Sequence, residues 1–226
     1  MTPVTWPCPL PGGAVADEYA LTFDRDRQRR LLIVPALFDE ANKLRRFTVE
    51  TMRRLDGAGI DCVLPDLPGT NESLRPLYEQ SAEDWRDAMA SAARHFAATH
   101  VLGIRGGCLF TPADLPRWHY APVKGSAVLR QMVRARVLAS REAGREEQRD
   151  ALMEAALAGG IELAGYRLSA ELVSELLALE PAAGDRVSEI GQDMLGGPGL
   201  WLRAEPGENT EQTDALAAVL ALGTGS

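Results

Sequence analysis

The stretch VLGIRGGCLF at residues 101–110 is the strongest indication of the fold of this chain. Apolar Val101 and Leu102 predict a strand, and the glycines that follow allow a sharp turn into the start of a helix. The frame Gly103-x-Arg105-x-Gly107 matches G-x-S-x-G, the strand-to-helix turn known as a nucleophile elbow. Arginine stands where that turn carries a catalytic serine. The turn is therefore predicted without its nucleophile.

Length, charge and cysteine content exclude several classes of protein. The 226 residues are enough for one α/β domain with a large core, and no linker divides them. A net charge of -8, from 24 basic and 32 acidic residues, argues against general binding to nucleic acid or anionic membranes. Three scattered cysteines predict neither a disulfide framework nor a zinc site, so a cytoplasmic location is expected. The N-terminus does not resemble a secretory signal, and no apolar stretch approaches the ~20 residues that span a bilayer.

Short apolar runs alternate with helical patterns in the first half of the chain. Strands are predicted at 19–23, 31–34 and 60–64 and from Val101, with helices at 47–55 and after the N-cap Ser81. This β-α-β-α-β alternation predicts an α/β fold with a doubly wound, mostly parallel sheet. Further strands are expected at 117–121, 185–190 and 199–204, and a final helix at 211–222. Residues 1–16 are expected to form an extended N-terminal arm, and residues from about 124 to 180 a helical lid insertion.

Six runs of sequence resemble one known family. VPALFDEANKLRR at 34–46, LPDLPG at 64–69 and GIRGGCL at 103–109 resemble the second type of exosortase A system-associated hydrolase. APVKG at 121–125, VLRQMVR at 128–134 and ELAGYRLS at 162–169 are similar to the same family. The resemblance covers most of the chain. It implies an α/β-hydrolase fold in a Gram-negative bacterium, linked to exopolysaccharide production and to the sorting of proteins with a short C-terminal anchor signal.

The chain departs from this family after the elbow, where the helix is short and the C-terminal third is compressed. An α/β-hydrolase places an acid after a later strand and a histidine after the last strand. All three histidines of this chain precede residue 120. Arginine stays protonated and cannot act as the nucleophile. An ordinary serine-hydrolase triad is therefore not expected.

Cys108 and His119 are the weak catalytic candidates. A thiol near Arg105 could be activated by the positive charge, and His119 could serve it as a base. The alternative is a buried cysteine that packs as a small apolar side chain, beside a packed histidine. If the candidates were active, the protein would be an esterase, thioesterase or acyltransferase with atypical catalytic residues.

A polar segment at residues 38–46 is predicted to be a loop facing the elbow. Ligands of open α/β sheets bind at the carboxyl ends of the strands, where this segment lies. One hypothesis is a pocket for an anionic small ligand, in which an arginine and glycine amides hold a carboxylate, phosphate or sulfate. The other is an internal ion-pair network in which Arg105 neutralises Glu40 or Asp66 and so holds two loops together. The candidate ligand-binding residues are Arg105, Gly106, Glu40, Asn42, Lys43, Arg46, Asp66 and Asn71.

The remaining motifs are uninformative. The glycine pairs form neither G-x-G-x-x-G nor a P-loop, so no cofactor is expected, and no metal site is predicted. We expect the partner to be a small anionic ligand or a protein of the exosortase system, with no nucleic acid. A homo-oligomer is compatible with the sequence.

Overall fold

The computed structural model describes residues 1–225, in which seven strands form one twisted sheet. These strands are β1 (Thr2–Pro9), β2 (Val15–Phe23), β3 (Arg30–Val34), β4 (Asp61–Pro65), β5 (His100–Ile104), β6 (Arg117–Tyr120) and, later in the chain, β9 (Val187–Ile190). Their order across the sheet is β1-β2-β4-β3-β5-β6-β9. The first two pairings are antiparallel and the other four are parallel. The predicted mostly parallel sheet is confirmed.

Helices cover both faces of this sheet because its central strands are apolar on both sides. In β3, Leu32 and Val34 pack into one core and Leu31 and Ile33 into the other, as the period-2 alternation of a strand requires. One face carries α2 (Ala82–His95), α3 (Gly125–Glu142) and α5 (Ala170–Ala178), and the other carries α1 (Asp39–Gly57) and α7 (Thr210–Gly223). No helix within residues 1–225 combines the length and the apolar character needed to cross a membrane.

The segment between β6 and β9 contributes most of the remaining structure. It contains α3, α4 (Arg149–Gly159), the hairpin of β7 (Ile161–Leu163) and β8 (Tyr166–Leu168), and α5. Leu129, Leu163 and Leu172 from this segment are fully buried and share one core with the sheet. These elements are where residues of about 124 to 180 were predicted to insert. Their role as a lid stays a prediction.

Three local predictions need correction: the loop at 38–46, the strand at 199–204 and the N-terminal arm at 1–16. The polar segment at 38–46 is not a loop, because α1 begins at Asp39 and its apolar positions Leu44, Phe47 and Leu55 already follow a helical period. Its dense charge made it resemble a loop, but Glu40 and Arg45 form ion pairs with residues of other elements. The strand predicted at 199–204 is a short 3₁₀ turn, Leu200–Leu202, since the glycines and proline before it favour a turn.

The predicted N-terminal arm is an edge strand of the sheet. Residues Thr2–Pro9 pair with β2 along their whole length. Prolines are tolerated there because an edge strand leaves one row of its backbone groups without partners. A single turn of helix, α6 (Gln192–Leu195), lies between β9 and α7.

Candidate functional site

Backbone strain concentrates at the carboxyl edge of the parallel strands. Phe38 follows β3 with φ of 53°, Arg105 follows β5 with φ of 53°, and Ala121 follows β6 with φ of 44°. Non-glycine residues in the left-handed region cost about 1–3 kcal/mol each and cluster at functional sites. The three adjacent strands β3, β5 and β6 therefore end in a strained rim, with Arg105 on its middle strand.

The elbow, residues 103–107, has the close backbone approach that its glycines predict. A Cβ atom on Gly107 would lie 2.2 Å from the carbonyl oxygen of Pro35 and 2.5 Å from that of Val34. A Cβ atom on Gly106 would lie 2.8 Å from Cγ of Leu37. The elbow thus packs directly onto the chain leaving β3. Residues Arg105–Phe110, which begin inside the elbow, form a 3₁₀ helix instead of an α-helix, and Pro112 follows two residues later.

The Arg105 side chain joins four elements at this rim. Its Nε donates to Oε2 of Glu40 at 3.0 Å and its Nη2 donates to Oε1 of the same carboxylate at 3.1 Å, a bidentate pair. Nη1 donates to the carbonyl oxygen of Ala121 at 3.0 Å. The guanidinium carbon lies 4.1 Å from the ring centroid of Trp201, a cation–π contact. The side chains of Arg105 and Glu40 are only 12% and 7% exposed, so the pair is largely buried.

Trp201 reaches Arg105 because the chain before it folds tightly. A Cβ atom on Gly199 would lie 2.4 Å from the Trp201 ring, so only glycine permits the indole to fold back over this position. The ring is buried and also packs edge-on against Tyr120, with centroids 6.0 Å apart. Sequence reasoning missed Trp201, and an aromatic residue after a run of glycines was the only local signal for it.

The other predicted ligand-binding residues do not gather around Arg105. Asp66 is fully buried and belongs to a second cluster, where it accepts hydrogen bonds from Arg45 Nη1 at 3.0 Å and from Asn71 Nδ2 at 3.0 Å. Asn42 Nδ2 donates to the hydroxyl of Tyr166 in β8 at 3.3 Å. The two remaining candidates form ion pairs, Lys43 with Asp39 and Arg46 with Glu208.

Cys108 and His119 are neighbours that share contacts with Thr111, but within residues 1–225 no hydrogen bond joins the thiol to the imidazole. The thiol of Cys108 is 1% exposed and points toward the carbonyl oxygen of Tyr120 at 4.0 Å, and burial raises its pKa well above the usual range. The His119 Nε2 atom lies 2.9 Å from Oγ1 of Thr111. Burial and the charge of Arg117 lower the pKa of His119 to about 4. Burial thus opposes formation of the thiolate, and the imidazole is hydrogen-bonded to Thr111 and not to the thiol.

A cationic cleft opens beside the buried pair. It is a cavity of about 460 Å³ in which α1, α3 and the 3₁₀ turn at Leu200–Leu202 meet. Sequence reasoning missed Arg130 and Arg134, although their four-residue spacing on a helix was a usable signal. No carboxylate is among the residues that line the cavity. Those residues are Lys43, Ala127, Arg130, Gln131, Arg134, Trp201 and Leu202.

The cations of this cleft differ in their pairing. Lys43 Nζ lies 2.8 Å from the Asp39 carboxylate. Arg130 and Arg134 are exposed, and within residues 1–225 neither forms an ion pair with a carboxylate. Nor does any group of three or more His, Cys, Asp or Glu side chains in that range come together to bind a metal ion. The cleft is thus suited to a negatively charged group and not to a cation.

Comparison with solved structures agrees with this architecture. The chain is similar to α/β hydrolase domain-containing protein 10 from mouse, with 12% identity, a TM-score of 0.56 and coverage of 90% of this chain and 92% of that one. It is also similar to a putative hydrolase from Agrobacterium vitis S4, with 14% identity, a TM-score of 0.52 and coverage of 98% and 99%. The sequence matches no protein-family model and no curated protein. These similarities show an α/β-hydrolase fold.

Proposed function

We propose that this α/β-hydrolase-fold protein does not use a serine-hydrolase mechanism and binds an anionic small ligand in the cationic cleft beside its elbow. One observation carries the proposal. The side chain at the nucleophile position is an arginine held by Glu40, Ala121 and Trp201, and the cavity next to it is lined by Lys43, Arg130 and Arg134. The elbow holds the rim together, and the neighbouring cleft supplies free positive charge.

Arg105 plays a supporting part in this proposal. Three of its five N–H groups are already used within the protein, and its charge is matched by Glu40. A ligand would have to displace a bidentate carboxylate to reach it. The exposed guanidinium groups of Arg130 and Arg134 need no such exchange, so they are better placed to hold the anion.

The walls of the cleft indicate which anions fit best. Trp201 and Leu202 add apolar surface to the lining of the cleft, and Leu202 is 72% exposed. An anion with an apolar tail can bury that tail against these side chains, at about 25 cal/mol per Å² of apolar area removed from water. We therefore expect a fatty carboxylate to bind more tightly than acetate. The resemblance of the sequence to the exosortase A system-associated hydrolases supports a ligand from the exosortase and exopolysaccharide system.

Binding is tested with octanoate and acetate by isothermal titration calorimetry at constant ionic strength. We expect octanoate to bind more tightly than acetate, and the Arg130→Gln/Arg134→Gln double variant to lose that binding. Arg86→Gln on α2 is the matched control, because Arg86 is also exposed and lies on another helix. Octanoate binding of equal strength in wild type and double variant would disprove the cleft as the site.

The absence of hydrolysis is tested separately. We expect no turnover of p-nitrophenyl butyrate above the buffer rate. The substitution Arg105→Ser restores the G-x-S-x-G frame, yet we expect it to remain inactive, because no histidine follows His119 in the chain and His119 is engaged with Thr111. Turnover by the wild type that disappears in Cys108→Ala would instead support an atypical esterase, thioesterase or acyltransferase. The separate contacts of Cys108 and His119 do not favour that alternative.

A further inference from the structure

A second basic surface lies farther along α3, away from the elbow. Arg134, Val137, Leu138, Arg141 and Arg149 line a cavity of about 220 Å³ between α3 and the first turn of α4. It adjoins a cavity of about 160 Å³ that shares Arg134 and Arg149 with it. We call these two cavities together the α3–α4 groove. Its complete lining is Arg130, Val133, Arg134, Val137, Leu138, Arg141, Arg149, Asp150 and Met153.

Arginines outnumber acids in the α3–α4 groove, although Glu146 and Glu147 line the adjoining cavity beside Arg141 and Arg149. Four arginines and one aspartate line it, whereas the whole chain carries a net charge of -8. Within residues 1–225, none of these four arginines forms an ion pair with a carboxylate, whereas the neighbouring Arg136 does. Its Nε and Nη2 donate to both oxygens of Glu147 at 2.8 and 2.7 Å. Arg136 and Ser140 lower the pKa of Glu147 to about 2, so the charge of this nearby acid is already balanced.

This arrangement is unfavourable for the isolated protein. Arg130 and Arg134 are four residues apart on one helix face, a like-charge spacing that destabilises a helix by about 0.2–0.5 kcal/mol. Leu138 is 56% exposed among the arginines, although the opposite face of α3 is well buried. A bound group that brings both negative charge and apolar surface would relieve both features.

We propose that the α3–α4 groove binds an acidic segment of a partner protein that also carries an apolar side chain. The concave shape suits an inserted peptide better than a flat bilayer surface. The apolar side chains of its lining, Val137, Leu138 and Met153, suit an apolar side chain better than the phosphate backbone of a nucleic acid. Carboxylates of the segment would pair with Arg141 and Arg149, and a leucine or phenylalanine would cover Leu138. This proposal goes beyond the ligand cleft, with which the groove shares Arg130 and Arg134, and its test acts on Arg141 and Arg149, which do not line that cleft.

The test is to pan a phage-displayed library of random 16-residue peptides against the full chain. We expect enriched peptides to combine several Asp or Glu with at least one large apolar residue. Their affinity should fall at least about tenfold in Arg141→Glu/Arg149→Glu, since each reversal replaces an attraction with a repulsion. The matched control is Arg86→Glu/Arg94→Glu, because both of these arginines are exposed on α2. Leu138→Ser should weaken binding without changing its salt dependence.

Several results would overturn this proposal. The first two are no enrichment at all and enrichment of peptides that carry no surplus of acidic residues. The others are a peptide affinity of Arg141→Glu/Arg149→Glu equal to that of the wild type, and a loss of affinity in the control variant as large as in that variant. Binding of the chain to phosphatidylglycerol vesicles, lost in the same double variant and unaccompanied by peptide binding, would assign the groove to a membrane instead. Octanoate titration of Arg141→Glu/Arg149→Glu separates the two proposals, because we expect the ligand cleft to remain functional in it.

Discussion

The substitution Arg105→Ala is expected to destabilise the protein by about 3–5 kcal/mol. It leaves the Glu40 carboxylate, 7% exposed, without either of its bonds at 3.0 and 3.1 Å. Breaking a buried pair by removing one partner costs about 3–5 kcal/mol, because a charge is left buried and unpaired. Loss of the cation–π contact with Trp201 costs about 0.5–2 kcal/mol. This cost is not added to that of the lost Glu40 pair, because both interactions depend on the same guanidinium.

The backbone at position 105 allows a second, finer comparison. Arg105 has φ of 53°, and alanine keeps the Cβ atom that makes this conformation unfavourable. Glycine adopts it without that penalty. We therefore expect Arg105→Gly to be about 1 kcal/mol less destabilising than Arg105→Ala.

The measurement is urea unfolding followed by circular dichroism at 222 nm, analysed as a double-mutant cycle with Glu40→Ala. We expect a coupling energy of about 2 kcal/mol or more between the two positions. The pair of Arg46 and Glu208 is the matched control, because its atoms are 2.8 Å apart while its side chains are 64% and 37% exposed. Arg46→Ala should change stability by less than about 1 kcal/mol.

Two outcomes would refute this reasoning. If Arg105→Ala costs no more than Arg46→Ala, the pair with Glu40 does not hold the rim together. If the effects of Arg105→Ala and Glu40→Ala add within about 0.5 kcal/mol, the two residues act independently despite their contact.

Three further predictions concern the elbow, the buried histidine and the thiols. Gly107→Ala should destabilise the protein by more than 1 kcal/mol in the same urea assay, because its Cβ would meet the Pro35 carbonyl at 2.2 Å, whereas Gly57→Ala, with open space around it, should not. The free energy of unfolding should rise by about 3 kcal/mol between pH 4 and 6.5, because in this range the histidine of the unfolded chain binds a proton that folded His119 does not. His119→Gln should flatten this rise. His95→Gln, at an exposed position, should leave it unchanged. All three cysteine thiols are buried, so Ellman's reagent should react with them in guanidinium but not in the native protein; rapid reaction of a native thiol would contradict their placement.

Much of the fold could be predicted from the sequence because the signals for it are local. Runs such as 31–34 and 60–64 are apolar on both faces of a strand, and the capping box at Ser81 and Asp84 marks the start of α2 within four residues. The elbow was equally local, since the glycines around Arg105 specify the turn. The misassigned segment at 38–46 had helical spacing too, but its many charges concealed it.

The candidate site could be predicted only in part. The frame around Arg105 identified the position and the missing nucleophile, and Glu40 was one of the carboxylates considered as its partner. Which carboxylate pairs with Arg105, and which pairs with Arg45, depends on distances across the fold between residues far apart in the chain. The same holds for the position of Trp201 above the guanidinium.

The sequence by itself determined the strand-and-helix pattern, the elbow and the absence of a late histidine. The tertiary structure decided that Arg105 is bound internally, that Asp66 belongs to a separate cluster, and that Arg130 and Arg134 remain free beside the rim. The physical reason is that backbone conformation depends on neighbouring residues and on hydrophobic period. The pairing of charges depends instead on which side chains the folded chain brings within a few ångströms of one another.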